Sequence, residues 1–166
     1  MVLTKAELIA ALQNEVRILL HLADKVDPAK ADYRPTPKQR STIELLRYLT
    51  MMGPHLVTAA AAGKFDEAAW GAADEAAKTM TLAQTKAAIA GHAAGYDAAL
   101  GPLTDADFRA EISLFGPPTT RGVWLVSWVL GGCAAYRTQL FLYLKACGRD
   151  ELGTMNLWAG MDPPTA

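Results

Sequence analysis

The stretch that decides the fold is residues 121–148, RGVWLVSWVLGGCAAYRTQLFLYLKACG. Its apolar residues recur at helical spacing over about seven turns, and no charged residue lies between Val123 and Tyr136. This uncharged run of about 14 residues is shorter than the ~20 that a bilayer requires, so no membrane partner is expected. We therefore predict the central helix of a bundle, buried on nearly all sides, with one face formed by Leu125, Trp128, Gly132, Tyr136, Gln139 and Tyr143.

The composition is typical of an α-helical globular protein. The chain has 166 residues, of which 51% are hydrophobic and 20% are charged, and its many alanines and leucines favour helices. This length suits one domain over residues 1–166. The formal net charge is −1 and no basic stripe appears, so a nucleic-acid partner is not expected.

The cysteines and the amino-terminal stretch predict a cytoplasmic location. Cys133 and Cys147 lie on one predicted helix, about 21 Å apart, and cannot bridge each other within a chain. Free thiols are typical of a reducing compartment. The first residues carry charges and lack the apolar core of a signal peptide.

Two capping boxes and a set of proline and glycine signals divide the rest of the chain. A first helix is predicted over residues 4–26, opened by Thr4 with Glu7, and a second from Ser41 with Glu44, which ends at Gly63. Pro54 is expected to kink or break the second helix near residues 52–53. A short helix is predicted within residues 64–78, with the large apolar side chains of Phe65 and Trp70 as its anchors.

A third helix is predicted from Thr81, which forms a capping box with Gln84, to Gly101. Alternation over residues 108–114 then indicates an extended arm or short strand, and the apolar residues of the tail, 149–166, predict docking on the bundle. The fold class is therefore all-α, an up-down four-helix bundle with a long crossover before the last helix. His21 is expected on the surface, and His92 partly exposed at the flank of the third helix.

The sequence contains few patterns that would support chemistry. No two histidines share a helix face, so the usual spacing of metal ligands is absent. Gln139 lies one turn from both Tyr136 and Tyr143, and a buried amide needs such partners. This group is either a structural network or the polar end of a ligand pocket beside Gly131 and Gly132. Two glycines inside a helix cost about 1 kcal/mol each, which close packing or a cavity would explain.

Three segments together resemble the DinB-like proteins: DYRPTPKQRSTIELLRYL, AYRTQLFLYLKACG and NLWAGMD. These proteins are bacterial four-helix bundles related to YfiT and to mycothiol-dependent maleylpyruvate isomerase. The resemblance implies a divalent metal, nickel or zinc, held by three histidines. At the corresponding positions this chain has Tyr48, Gly132 and Tyr136. We therefore expect no metal and no other cofactor at this site.

Different functions follow from this departure. The first is a metal-free small-molecule-binding or non-catalytic protein, with pocket candidates Tyr48, Met52, His55, Gly132, Tyr136 and Gln139. The second is a thiol-transferase- or hydrolase-like enzyme with a rearranged site, in which His55 is the acid–base or ligand group. The third is a purely structural protein that dimerises, and a homodimer is the expected assembly. Whether the chain is an enzyme stays open at this point.

Overall fold

The computed structural model describes residues 3–164 and is largely helical. Helix α1 (Lys5–Ala23) begins at Thr4, whose hydroxyl accepts a hydrogen bond from the Glu7 backbone while the Glu7 carboxylate accepts one from Thr4. Helix α2 (Thr42–Ala62) begins in the same way with Ser41 and Glu44. Both predicted capping boxes are confirmed. Each satisfies backbone donors that a helix end otherwise leaves without partners.

Shorter helices follow, with bounds α3 (Glu67–Ala77), α4 (Leu82–Ala90), α5 (His92–Leu100) and α6 (Asp105–Arg109). The helix predicted within residues 64–78 is confirmed as α3. The capping box of Thr81 and Gln84 opens α4, also as predicted. Gly91 joins α4 to α5, so together they make the third helix of the bundle.

The crossover differs from its predicted form. The alternation over residues 108–114 predicted an extended arm or a short strand, but Phe108 and Arg109 belong to α6. The reason is a capping box of Thr104 and Asp107, which starts a helical turn there. Strand β1 (Glu111–Ile112) then pairs antiparallel with β2 (Thr119–Thr120), so only the middle of the predicted arm is extended.

The last helix is not the uninterrupted helix, buried on nearly all sides, that the sequence predicted. It consists of α7 (Arg121–Trp124), a π-helical segment (Leu125–Leu130) and α8 (Gly131–Ala146). A π turn takes more residues than an α turn, so it rotates the side chains that follow relative to those before it. Trp128, predicted to share the inner face, is 46% exposed, and Val123 is 55% exposed.

The core lies between four helices: α1, α2, the helix made of α4 and α5, and the last helix. The predicted four-helix bundle is confirmed. Helix α1 packs against α5 and α8, while α2 packs against α4, α5 and the π-helical segment. The centre is filled by buried leucines and other large side chains: Leu12, Leu22, Leu45, Leu46, Ile89, Leu125 and Leu140. Burying one such side chain stabilises the fold by about 1.5–3 kcal/mol.

Pro54 does not break α2, because α5 compensates for it. A proline has no N–H, so the Thr50 carbonyl four residues earlier loses its helical donor. His92 Nε2 lies 2.9 Å from that carbonyl oxygen and therefore carries the proton that it donates. One residue before Pro54, Gly53 leaves room for Tyr96: a Cβ there would lie 2.1 Å from Tyr96 Oη. The prediction of a partly exposed His92 is wrong, since it is 7% exposed.

The tail docks on α1, as predicted, and this changes the surroundings of His21. Arg17 donates hydrogen bonds to the carbonyls of Ala159 and Gly160. The Asn156 amide lies 3.0 Å from His21 Nε2, and Lys25 pairs with Asp162 at 2.6 Å. The tail thus shields part of the polar face of α1, and the prediction of a solvated surface His21 is wrong because its side chain is 15% exposed.

Candidate functional site

Tyr48 on α2 and Tyr136 on α8 meet at the middle of the bundle. Their ring centroids lie 5.2 Å apart with an interplanar angle of 66°. Burial raises the pKa of Tyr48, and the neighbouring Tyr136 phenol raises it further. Both positions correspond to expected metal ligands in the resemblance, and here they hold two phenols in edge contact.

Gly132, the third of these positions, faces Met52. A Cβ on Gly132 would lie 3.6 Å from Met52 Cε and 3.7 Å from its Sδ, which is ordinary van der Waals contact. A Cβ would therefore fit against the methionine thioether without a clash, and packing against Met52 does not by itself require glycine at this position.

Gln139 connects α8 to the loop that precedes α2. Its amide donates a hydrogen bond to Tyr143 Oη, and this hydroxyl donates to the Arg40 carbonyl at 3.1 Å. Tyr33 packs edge-on against Tyr143 with centroids 5.7 Å apart. Of the two tyrosines one turn from Gln139, Tyr143 serves the amide while Tyr136 faces Tyr48. The network thereby holds the backbone of Arg40 in place.

The Arg40 side chain caps the Tyr48 ring. Its guanidinium carbon lies 4.0 Å from the ring centroid, the geometry of a cation–π contact. Beside this pair is an open cleft of about 410 Å³ between α2 and the end of α3. Its walls are charged and aromatic, and they are formed by Arg40, Glu44, Arg47, Tyr48, Asp74, Ala77 and Lys78.

Of the charged side chains around this cleft, the carboxylates have ion-pair partners and Arg40 has none among the described residues. Glu44 pairs with Arg34 at 3.1 Å, and Asp74 lies 3.6 Å from Lys78. The backbone N–H of Ser41 and Arg34 lower the pKa of Glu44, so it stays a carboxylate. Within residues 3–164, Arg40 forms no ion pair. The cleft therefore contains an uncommitted guanidinium beside an aromatic ring.

Trp70 on α3 separates His55 from this cleft. Its ring contacts Tyr48 at 6.2 Å and His55 at 6.0 Å between centroids, each at a steep angle. Tyr48 and His55 share one face of α2, as their spacing of seven predicted. His55 instead opens on a smaller pocket of about 190 Å³, whose polar walls include Lys64 and Asp66.

A buried polar cluster lies deeper in the bundle. Arg137 Nε is 3.1 Å from Glu15 Oε2, and their side chains are 5% and 12% exposed. Burial raises the pKa of Glu15, which Arg137 opposes. Burial likewise raises the pKa of the Cys133 thiol to about 12, so it is protonated at neutral pH. The adjoining cavity of about 10 Å³ has room for at most one water.

The residues at the three expected metal positions do not fit a divalent ion. Gly132 offers no donor atom, and the Tyr48 phenol, whose pKa is raised by burial, keeps its proton and is a poor ligand. Within residues 3–164, no group of three or more histidine, cysteine, aspartate or glutamate side chains is arranged to hold a metal.

Arg40 and Arg47 were not predicted as site residues, although a signal for them exists. Arg40, Glu44 and Arg47 recur at helical spacing next to Tyr48, with Arg40 in the loop just before α2 and the other two in its first turns. Their importance depends on α3, whose Asp74 and Lys78 form the opposite wall. No periodicity within α2 specifies where α3 lies, so the cleft itself could not be seen in the sequence.

A solved structure resembles this arrangement of helices. The crystal structure of a DinB-like protein from Bacillus subtilis, YjoA, matches with a TM-score of 0.68 over 88% of this chain and 94% of that one. This chain has the DinB-like fold. The resemblance drawn from the sequence is thus confirmed for the fold, and at 19% identity the likeness extends no further.

Sequence comparisons identify no further relative of this chain. No protein-family model matches the chain, and no curated protein matches it. None of the helices within residues 3–164 combines the length and the apolar character that spanning a bilayer requires.

Proposed function

We propose that this chain is a DinB-like protein that binds a small organic acid, without a metal, in the cleft beside Tyr48. The observation that carries the proposal is the Arg40 guanidinium, which has no ion-pair partner among the described residues and is stacked on Tyr48 at 4.0 Å above an open cleft. A guanidinium presents a planar set of donors that suits a carboxylate or phosphate. The Tyr48 ring offers a flat apolar surface for the remainder of such a ligand.

The size and charge of the cleft support this class of ligand. Its volume of about 410 Å³ lies in the range of small-molecule sites. Its lining carries the cations Arg40, Arg47 and Lys78 against the carboxylates Glu44 and Asp74. Because both carboxylates already have cationic partners, an incoming anion meets the uncommitted Arg40.

Binding of benzoate and benzylamine to the full chain tests the proposal. Both probes have the same ring, and only benzoate carries the charge that Arg40 would bind. We expect benzoate to bind at millimolar concentration or better by NMR titration, and Arg40→Ala to weaken it at least about fivefold. Lys86→Ala, which removes a half-buried cation on α4 that pairs with Asp24 away from the cleft, is the control. Equal binding of the two probes, or no effect of Arg40→Ala, would overturn the proposal.

The alternative function is an enzyme with a rearranged site at His55. It is favoured by one observation: His55 lines a pocket together with Lys64 and Asp66, which brings groups capable of acid–base chemistry together. Metal analysis of the purified chain separates the two. Stoichiometric nickel, zinc or iron that disappears in His55→Ala would contradict the metal-free proposal and favour this alternative.

The third function, homodimerisation, is favoured by the outer side of α8. Gly131, Ala135, Thr138 and Leu142 follow one another at helical spacing, all are exposed, and none is charged. A surface helix normally presents polar residues outward, so we propose that a second copy covers this side in a cytoplasmic homodimer. A monomeric mass by light scattering, unchanged in Leu142→Glu, would exclude it.

A further inference from the structure

An apolar groove lies between the first turn of α1, helix α6 and the start of the last helix. Its volume is about 430 Å³, and it shares no lining residue with the Tyr48 cleft. Leu8 is buried at its floor, while Val123 and Val126 are 55% and 41% exposed at its wall. The remaining lining is mainly apolar or small: Leu3, Thr4, Lys5, Asp105, Phe108, Arg109, Gly122 and Ser127.

The walls of this groove are held by specific bonds. Arg121 donates hydrogen bonds to the carbonyls of Asp107 and Ala60, which ties α6 and the last helix to α2. The Lys5 ammonium lies 2.7 Å from the Gly101 carbonyl and 2.8 Å from that of Leu103. These bonds connect α1 to the loop before α6. The groove is therefore preformed, and a ligand pays little to organise it.

Close packing of α6 keeps the groove open rather than filled. A Cβ on Gly122 would lie 3.3 Å from the Phe108 carbonyl oxygen, a tight contact that α6 could accept only by moving a few tenths of an ångström away from the last helix. The Phe108 side chain then lines the groove instead of crossing it. Apolar side chains that stay exposed around a concavity of this size are typical of a ligand site.

The charges at the rim indicate which chemistry an occupant would have. The Lys5 ammonium is engaged with backbone carbonyls. Arg109 is exposed and forms no ion pair with any residue between 3 and 164. Asp105, one turn earlier on α6, also reaches the groove. An occupant with an apolar body and one acidic end would match the walls and Arg109, provided its acid lies away from Asp105.

We propose that this groove binds the alkyl chain of an aliphatic carboxylic acid, with the carboxylate held by Arg109. The alkyl chain lies against Leu8, Phe108 and Val126, where it removes apolar surface from water. Each added methylene is then worth about 0.8 kcal/mol of transfer free energy, or a three- to fourfold gain in affinity, until the groove is full. The carboxylate adds a charge-assisted contact at the rim.

Calorimetric titration of the full chain with hexanoate, octanoate and decanoate tests this proposal. We expect affinity to rise about three- to fourfold per methylene, to fall at least about tenfold in Val126→Asp, and to fall about fivefold in Arg109→Ala. Asp105→Asn is expected to tighten binding, because it removes a like charge from the rim. Val126 is exposed, and a circular dichroism melt of each variant verifies its fold.

The controls separate this groove from the Tyr48 cleft. The gain in affinity with chain length should persist in Arg40→Ala and be lost in Val126→Asp, whereas only Arg40→Ala is expected to weaken benzoate at the cleft, so either site can fail without the other. Decanoate binding that survives Val126→Asp would overturn the proposal. So would decan-1-ol binding as tightly as decanoate, or a dimer whose mass falls to that of a monomer in Val126→Asp, since a second copy would then occupy the groove.

Discussion

Helix α2 makes two aromatic contacts of opposite character along its length. At Gly53 and Pro54 it receives His92 and Tyr96 from α5, and there the packing is closed: both side chains are less than a tenth exposed. At Tyr48, about one and a half turns earlier, the ring is covered by Arg40 and faces an open cleft. In the first region the His92 ring bonds to the Thr50 carbonyl. In the second, the Arg40 guanidinium has no anionic partner among residues 3–164.

This difference separates structure from binding. A buried polar group without a partner destabilises a protein, so His92 must be satisfied for the bundle to form. An exposed guanidinium is solvated by water and contributes little to folding. Variants at the first region should therefore change stability, and variants at the second should change binding. The following predictions test the contrast, beginning with the largest expected effect.

Gly53→Ala should destabilise the protein by about 3 kcal/mol, because overpacking a filled core is costly. The new Cβ would lie 2.1 Å from Tyr96 Oη but 3.3 Å from its Cζ. Tyr96→Phe removes that oxygen, so the double variant should recover much of the loss in a urea-unfolding cycle. Gly71→Ala, inside α3 with no atom within 4 Å of the new Cβ, is the control and should be neutral or stabilising.

Acidification should weaken the first region through His92. Burial lowers the pKa of His92 to about 4, below the ordinary 6.5, so the unfolded chain takes up a proton first. The free energy of unfolding has its full value above about pH 6.5, and it falls by about 2–3 kcal/mol as the pH drops toward 4. Urea midpoints measured from pH 7 to 4 give this slope.

His92→Gln tests the assignment, since an amide can donate to the Thr50 carbonyl but does not titrate. Burial also lowers the pKa of His21, so part of the slope should remain in this variant. If the whole slope survives in His92→Gln, His92 is not its source. His21→Gln then provides the complementary measurement.

Tyr143→Phe should cost about 1 kcal/mol, because it removes the hydroxyl between Gln139 and the Arg40 carbonyl. It should also weaken benzoate binding several-fold, because the backbone of Arg40 loses its anchor. Chemical denaturation and NMR titration of the same sample measure both effects. A loss of stability with unchanged benzoate affinity would show that the network does not position Arg40.

Arg40→Ala should change stability least, by less than about 1 kcal/mol, as an exposed cation–π contact is weak. Its benzoate affinity should nevertheless fall at least about fivefold. Thermal melts and benzoate titration of this variant should therefore show a loss of affinity with little loss of stability, the reverse of what is expected in the first region. A large loss of stability would mean that the Arg40–Tyr48 pair is a structural contact like that of His92.

Local signals along the chain were sufficient for much of the fold. The capping boxes at Thr4, Ser41 and Thr81 satisfy backbone donors within one turn, so they can be read from adjacent residues. Apolar periodicity likewise indicated the bundle helices. The alternation over residues 108–114 was a poorer guide, because its first two residues belong to α6, which the capping box of Thr104 and Asp107 starts.

The candidate site shows the same division. The resemblance to the DinB-like proteins placed Tyr48 and Tyr136 at one site across two helices, and their rings do meet. Met52 packing beside Gly132, and Trp70 dividing Tyr48 from His55, could not be foreseen. Both depend on how α3 and α8 are placed against α2, which no pattern within one helix specifies.

Helix ends, helix faces and the bundle class thus follow from the chain alone, because backbone hydrogen bonding and apolar burial act over a few residues. Packing between distant helices determines the rest. It supplies His92 to the carbonyl that Pro54 leaves free, covers His21 with the tail, and opens a cleft at Arg40. Partners separated by tens of residues or more meet only after folding, so their chemistry is decided by the assembled bundle.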